Sequence, residues 1–199
     1  MIDVLSAFGL SSSAGLNAYL PLLIAGLTAR FTNLFTLSEP WDALTNGWVL
    51  AVLGILTVIE MTVDKIPVVD SINDGIQTVI RPAAGALLFA ASSNAINDLH
   101  PALGLILGLV TAGAVHGTKV VARPLVTGAT GGAGNAPVSF AEDAMSATTA
   151  FAAMALPILG AILAVGLFAP AIWFFNFKRR RKARRRAKLT ADTSSARQS

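Results

Sequence analysis

Cysteine is absent from the 199 residues, and charge is scarce, with 13% of the chain Asp, Glu, Lys or Arg. The first absence excludes disulfides, thiolate metal sites and thiol catalysis. The second argues against an ordinary water-soluble domain, because 54% of the residues are hydrophobic and the mean hydropathy is +0.65. No basic segment opens the chain, where Asp3 stands instead, so Met1 to Leu10 does not read as a cleaved signal. The Gly-rich stretch from Val126 to Pro137 lacks the Gly-Lys-Ser/Thr ending of a nucleotide phosphate loop.

What is present is a set of long apolar runs. A membrane crossing takes about 20 apolar residues, and candidates lie near 10–29, 47–64, 76–93, 102–122 and 156–177. The expected fold class is all-α, a polytopic membrane helix bundle with broken or re-entrant helices. Residues 1–177 read as one transmembrane domain and 178–199 as a basic, disordered cytoplasmic tail. Ten of the fifteen basic residues lie in that tail, while five basic residues face ten acidic ones before position 178, a net of −5. The tail follows Trp173-Phe174-Phe175, an interfacial group, so it reads as a positive-inside anchor on anionic lipid headgroups rather than a nucleic-acid-binding block. The expected location is a bacterial inner membrane, multi-pass, with the C-terminus cytoplasmic.

Several runs contain signs of interruption. The first has Ser11-Ser12-Ser13, Gly15, Asn17 and Pro21 in its opening half, which predicts a broken or tilted helix with Asn17 pointing inward. Asp70 is placed to N-cap the helix after Pro67, and that helix meets Arg81-Pro82 in mid-run, too interrupted for an ordinary span. Gly104 and Gly108 form a Gly-x-x-x-Gly packing face. The Gly-rich stretch before the Ala-rich run from Asp143 to Pro157 reads as a re-entrant hairpin, or else as an external loop. A weak repeat aligns Thr57–Ile66 with Thr111–Val120, each followed by an Arg-Pro pair, and suggests two inverted halves.

A carboxylate after a dozen apolar residues costs about 2.5–3.5 kcal/mol on insertion scales, so Glu60 demands a use. Glu60 and Asp64, four apart, share a helix face and would hold a proton between them near neutral pH. The alternative leaves Asp64 and Lys65 solvated at the interface with Glu60 alone buried. Lys65, Arg81, Lys119 and Arg123 each lie at a helix end or break; converging, they form an anion site, and otherwise they neutralise Glu60, Asp64, Asp70, Asp74, Glu142 and Asp143 as structural pairs. His116 is the one histidine within an expected span and is either a titrating group or a satisfied bundle histidine; His100 reads as interfacial.

The runs Gly15-Leu16-Asn17-Ala18-Tyr19-Leu20-Pro21, Asp64-Lys65-Ile66-Pro67 with Asp70-Ser71, Ile80-Arg81-Pro82-Ala83-Ala84-Gly85-Ala86-Leu87, and Gly131-Gly132 through Glu142-Asp143 resemble the bacterial membrane-protein family known as domain of unknown function 4126. The resemblance covers residues 10–177 and implies a membrane fold without an established activity. A second likeness is to cation/proton exchangers with an acidic residue, a short gap, then Asp-Lys-Thr/Ser. Here Glu60 to Ile66 has one residue too many between the acids and Ile66 in place of the hydroxyl residue.

The resulting expectation is a transporter or flippase for a small anionic solute or anionic lipid headgroup. Asn17, Lys65, Arg81, Lys119 and Arg123 bind the anion, and Glu60, Asp64 and His116 carry coupling protons. No Ser-His-Asp set can be assembled, so no enzymatic role, cofactor or metal is expected. The alternatives are a cation/proton exchanger using the carboxylates and a non-transporting scaffold that recruits partners through its tail. The chain is small for transport, which points to a homodimer.

Overall fold

A computed structural model describes residues 2–92 and 100–169 and, of residues 67–72, 74 and 101, the backbone only. These residues form seven α-helices and one 3-10 helix, with no strand among them: α1 Ile2–Ala14, α2 Tyr19–Phe31, the 3-10 helix Trp41–Thr45, α3 Gly47–Val63, α4 Pro67–Ser92, α5 Pro101–Thr130, α6 Asn135–Ala155 and α7 Pro157–Leu167. The tail from 178, the Trp173-Phe174-Phe175 group and the side chains of Asp70 and Asp74 lie outside the described residues.

α1 is the central helix, touching α4, α5, α6 and α7. Its side chains are small, with Ser6, Ser11, Ser12 and Ser13 buried beside Ala7 and Ala14. Small side chains let backbones approach closely, and hydroxyls then bridge helices. Ser11 Oγ donates to the Gly108 carbonyl of α5 at 2.8 Å, and Ser146 Oγ of α6 donates to the Ser13 carbonyl at 3.0 Å. The expected break in the first segment falls at residues 15–18, between α1 and α2.

Three expectations are corrected. Arg81-Pro82 does not interrupt α4, which runs unbroken from Pro67 to Ser92. Proline removes one backbone bond at a cost of about 3 kcal/mol, but α4 lies along α5 in the broadest helix contact of the fold, with Gly85 fitted against Gly108 and Ala112. Asp70 lies inside the first turn of α4, whose first residue is Pro67, and is not its cap. The Gly-rich stretch is mostly helix: α5 continues through Arg123-Pro124 to Thr130, Gly131 (φ 61°) and Gly132 (φ 91°) make the turn in a left-handed conformation open to glycine, and α6 resumes at Asn135.

Many large apolar side chains face outward, while a group of ionisable side chains lies inside beside an apolar core that includes Leu10, Leu22, Leu53 and Leu88. Outward faces carry Val52, Ile55, Val58 and Ile59 on α3, Ile106 and Val110 on α5, and Ile158, Ile162 and Val165 on α7. The interior holds Glu60, Asp64, Arg81, Lys119 and Arg123, each 5% exposed or less. Among the described residues α5, over Ala102–Thr130, is long and apolar enough to cross a membrane.

Candidate functional site: a buried ion network

The last two turns of α3 present Glu60 and Asp64 on one face. Glu60 points into the break between α1 and α2. Its carboxylate accepts the Ala18 N–H at 3.0 and 3.1 Å and the Tyr19 N–H at 3.3 Å. These amides open α2, where backbone N–H groups lack helical partners and the helix dipole favours negative charge. Asn17 completes the break: its Oδ1 accepts the Leu20 N–H and its Nδ2 donates to Asp143 Oδ1 on α6, both at 3.0 Å.

Arg81 on α4 joins both carboxylates. Its Nε and Nη2 donate to Glu60 Oε1 at 3.2 and 3.0 Å, and Nη2 also donates to Asp64 Oδ2 at 3.1 Å. Asp64, which ends α3, receives Lys119 Nζ at 2.7 Å and Asn73 Nδ2 at 2.7 Å. Lys119 Nζ lies 3.3 Å from Glu142 Oε2, and Arg123 Nη2 bonds the same oxygen at 2.6 Å. Lys65 turns the other way, to Asp143 Oδ2 at 3.1 Å.

Among the described side chains four cations thus meet four carboxylates: Lys65, Arg81, Lys119 and Arg123 against Glu60, Asp64, Glu142 and Asp143. Burying one unpaired charge costs several kcal/mol, so the pairing of opposite charges is what makes this interior tolerable. Six of the eight, Glu60, Arg81, Asp64, Lys119, Glu142 and Arg123, are connected, so removing one disturbs several others. The pair of Lys65 and Asp143 stands beside them, tied to the α1–α2 break through Asn17.

His116 is held at both ring nitrogens. Arg81 Nη1 lies 3.1 Å from Nδ1 and Thr78 Oγ1 lies 3.0 Å from Nε2. A guanidinium only donates, so Nδ1 is the acceptor and the neutral ring carries its proton on Nε2. A second proton on His116 breaks the bond to Arg81 and sets two cations side by side.

All eight residues singled out in the sequence lie in or on this network. Asp64 is as buried as Glu60, which overturns the interfacial alternative for it, while the Lys65 side chain is 33% exposed. Glu142 and Asp143 appeared in the sequence only as counter-ions or cation ligands, yet α6 supplies half the carboxylates; Asn73 and Thr78 gave no signal beyond polarity. Among the described residues no three His, Asp or Glu side chains gather in a metal-holding group. His100, 'interfacial' by expectation, accepts the Ala102 N–H at 3.2 Å as the cap of α5.

The sequence profile described as domain of unknown function DUF4126 matches residues 4–176, and the chain belongs to that family. No curated protein and no solved structure matches it.

Proposed function

We propose that this member of the DUF4126 family is a multi-pass membrane transporter or flippase that moves a small anionic solute or anionic lipid headgroup through the buried ion network, coupled to protons. The observation that carries this reading is a cluster in which, among the described side chains, four cations meet four carboxylates within a bundle whose outer faces carry large apolar side chains. Ionisable groups within membrane helices face a bundle interior and mark ion or substrate pathways. The half-length helices α1 and α2, with the N-terminus of α2 aimed at a carboxylate, fit the broken-helix design of transporter sites. Lys65 and Lys119, aligned by the weak sequence repeat, both end on carboxylates, which fits two related halves.

In this reading the protein's own carboxylates hold the place of the substrate. Arg81, Lys119 and Arg123 are donors suited to an oxyanion and are occupied by Asp64, Glu60 and Glu142 at rest. A proton on His116 expels Arg81 from its ring contact and loosens the grip on Glu60 and Asp64, opening the cations to an incoming anion. One proton and one anion enter together, so the balance of charge is kept.

His116→Gln tests this without dismantling the site. Its carboxamide oxygen can accept from Arg81 and its nitrogen can donate to Thr78, but it takes up no proton. In proteoliposomes under an imposed pH gradient, anion flux by the wild type should rise with acidification and flux by His116→Gln should lose that dependence. A wild-type pH response in the variant refutes His116 as the coupling group. Flux that requires divalent cations and no anion supports the exchanger instead.

A further inference from the structure

Gln77 lies on α4 midway between Asn73 and Arg81, one turn from each, and the three share a helix face. Asn73 and Arg81 both donate to Asp64, which places Gln77 on the face of the helix turned toward that carboxylate. From the other side, Thr78 pairs with His116 and Gly85 abuts Gly108, an antiparallel register that brings Gln77 level with the turn of Lys119. Gln77 is 2% exposed, and its Oε1 makes no hydrogen bond among the described residues. An empty acceptor is costly to bury, and the donors of Asn73 and Arg81, one turn to either side, are directed at Asp64, Glu60 and His116. No side chain or backbone group among the described residues supplies the donor it is shaped to receive.

Resting on the anion-transport reading, we infer that Gln77 Oε1 receives a hydroxyl proton carried by the transported anion, so that the substrate is a hydrogen phosphate or phosphomonoester, preferred over sulfate or a phosphodiester. The deprotonated oxygens of such a group take Arg81 and Lys119 in place of Asp64, while its P–OH donates to Gln77. Sulfate and phosphodiesters present acceptors only at neutral or mildly acidic pH, and an acceptor facing Gln77 Oε1 in a dry site is repelled. A site built to bond a substrate hydroxyl discriminates strongly against the analogue that lacks it. A phosphomonoester keeps its second proton below about pH 6, which sets the pH of the test.

The purified full-length protein in detergent is titrated at pH 5.5 with inorganic phosphate and with sulfate, reading the thermal midpoint and calorimetric binding. Phosphate should bind at least about tenfold more tightly than sulfate. Gln77→Leu, checked for helicity and monodispersity, should bind the two alike, and Gln77→Glu, which keeps an acceptor, should retain the preference. In parallel, lipid translocation is followed in proteoliposomes with phosphatidic acid, a monoester, or phosphatidylglycerol, a diester. A preference seen only for phosphatidic acid identifies the source as a lipid headgroup, and one seen with free phosphate identifies a soluble ion. Equal wild-type binding of phosphate and sulfate with no preference between the two lipids, or an unchanged preference in Gln77→Leu, overturns the inference and leaves the anion reading standing. No response to any anion in either arm overturns both.

Discussion

Arg81 bonds two carboxylates and a histidine while fully buried, whereas Lys65 bonds one carboxylate with a third of its side chain in contact with the surroundings. The two cations therefore contribute very differently to stability. Removing one partner of a buried pair strands the others, at about 3–5 kcal/mol, while loss of Lys65, whose charge is partly outside, leaves Asp143 still bonded by Asn17 and costs less. Arg81→Met should lower the thermal midpoint in detergent far more than Lys65→Met. A Lys65→Met loss equal to that of Arg81→Met would show that the network is not graded by burial. The i, i+4 spacing of Glu60 and Asp64 made their shared face legible in the sequence. Their partners were not assignable, because Asp143 reaches Asn17 and Lys65 across 126 and 78 residues.

At the scale of elements, the seam of α4 and α5 decides what its prolines do. A Cβ on Gly108 would fall 2.6 Å from the Ala86 Cα, and one on Gly85 would sit 2.9 Å from Ser11 Oγ. Backbones this close hold α4 along α5, and α4 stays helical through Pro82. Gly85→Val should therefore separate α4 from α5 and α1 and destabilise the fold by several kcal/mol, since overpacking alone costs about 1–3 kcal/mol. Gly117, with open space around its Cα, provides the contrast. Gly117→Ala should leave the midpoint unchanged or raise it, alanine being favoured in helices by about 1 kcal/mol. Equal thermal midpoints for the two variants would contradict the tight seam. Local rules located the α1–α2 break, where Gly15 and Asn17 leave the helix weakly specified, and the apolar run from 47 located the start of α3, whose cap by Asn46, accepting the Trp48 N–H at 2.9 Å, was not foreseen. They misjudged Arg81-Pro82 and the Gly-rich stretch because proline and glycine report backbone preference, and here packing against a neighbouring helix outweighs it.

The whole molecule is defined by which medium touches its outer faces, and the missing cysteines make that measurable. Any thiol introduced singly reports without background, and a water-soluble maleimide reacts only with a thiolate in water. Val58 is 65% exposed and Ile162 is 63% exposed, so both side chains leave the bundle. In water, cysteines at these positions would be among the fastest to react. In a bilayer they face hydrocarbon, where neither thiolate nor reagent is stable. Ala133, in the turn between α5 and α6, and Asn33, after α2, are also exposed but sit outside the helices. In freeze-thawed native vesicles, Ala133→Cys and Asn33→Cys should therefore label at least about tenfold faster than Val58→Cys and Ile162→Cys, and the difference should vanish once the protein is unfolded in denaturant. Rapid labelling of Val58→Cys in intact vesicles would mean that α3 faces water. The buried ion network would then be the core of a protein bound beside the membrane, and the route for an anion across the bilayer would be lost.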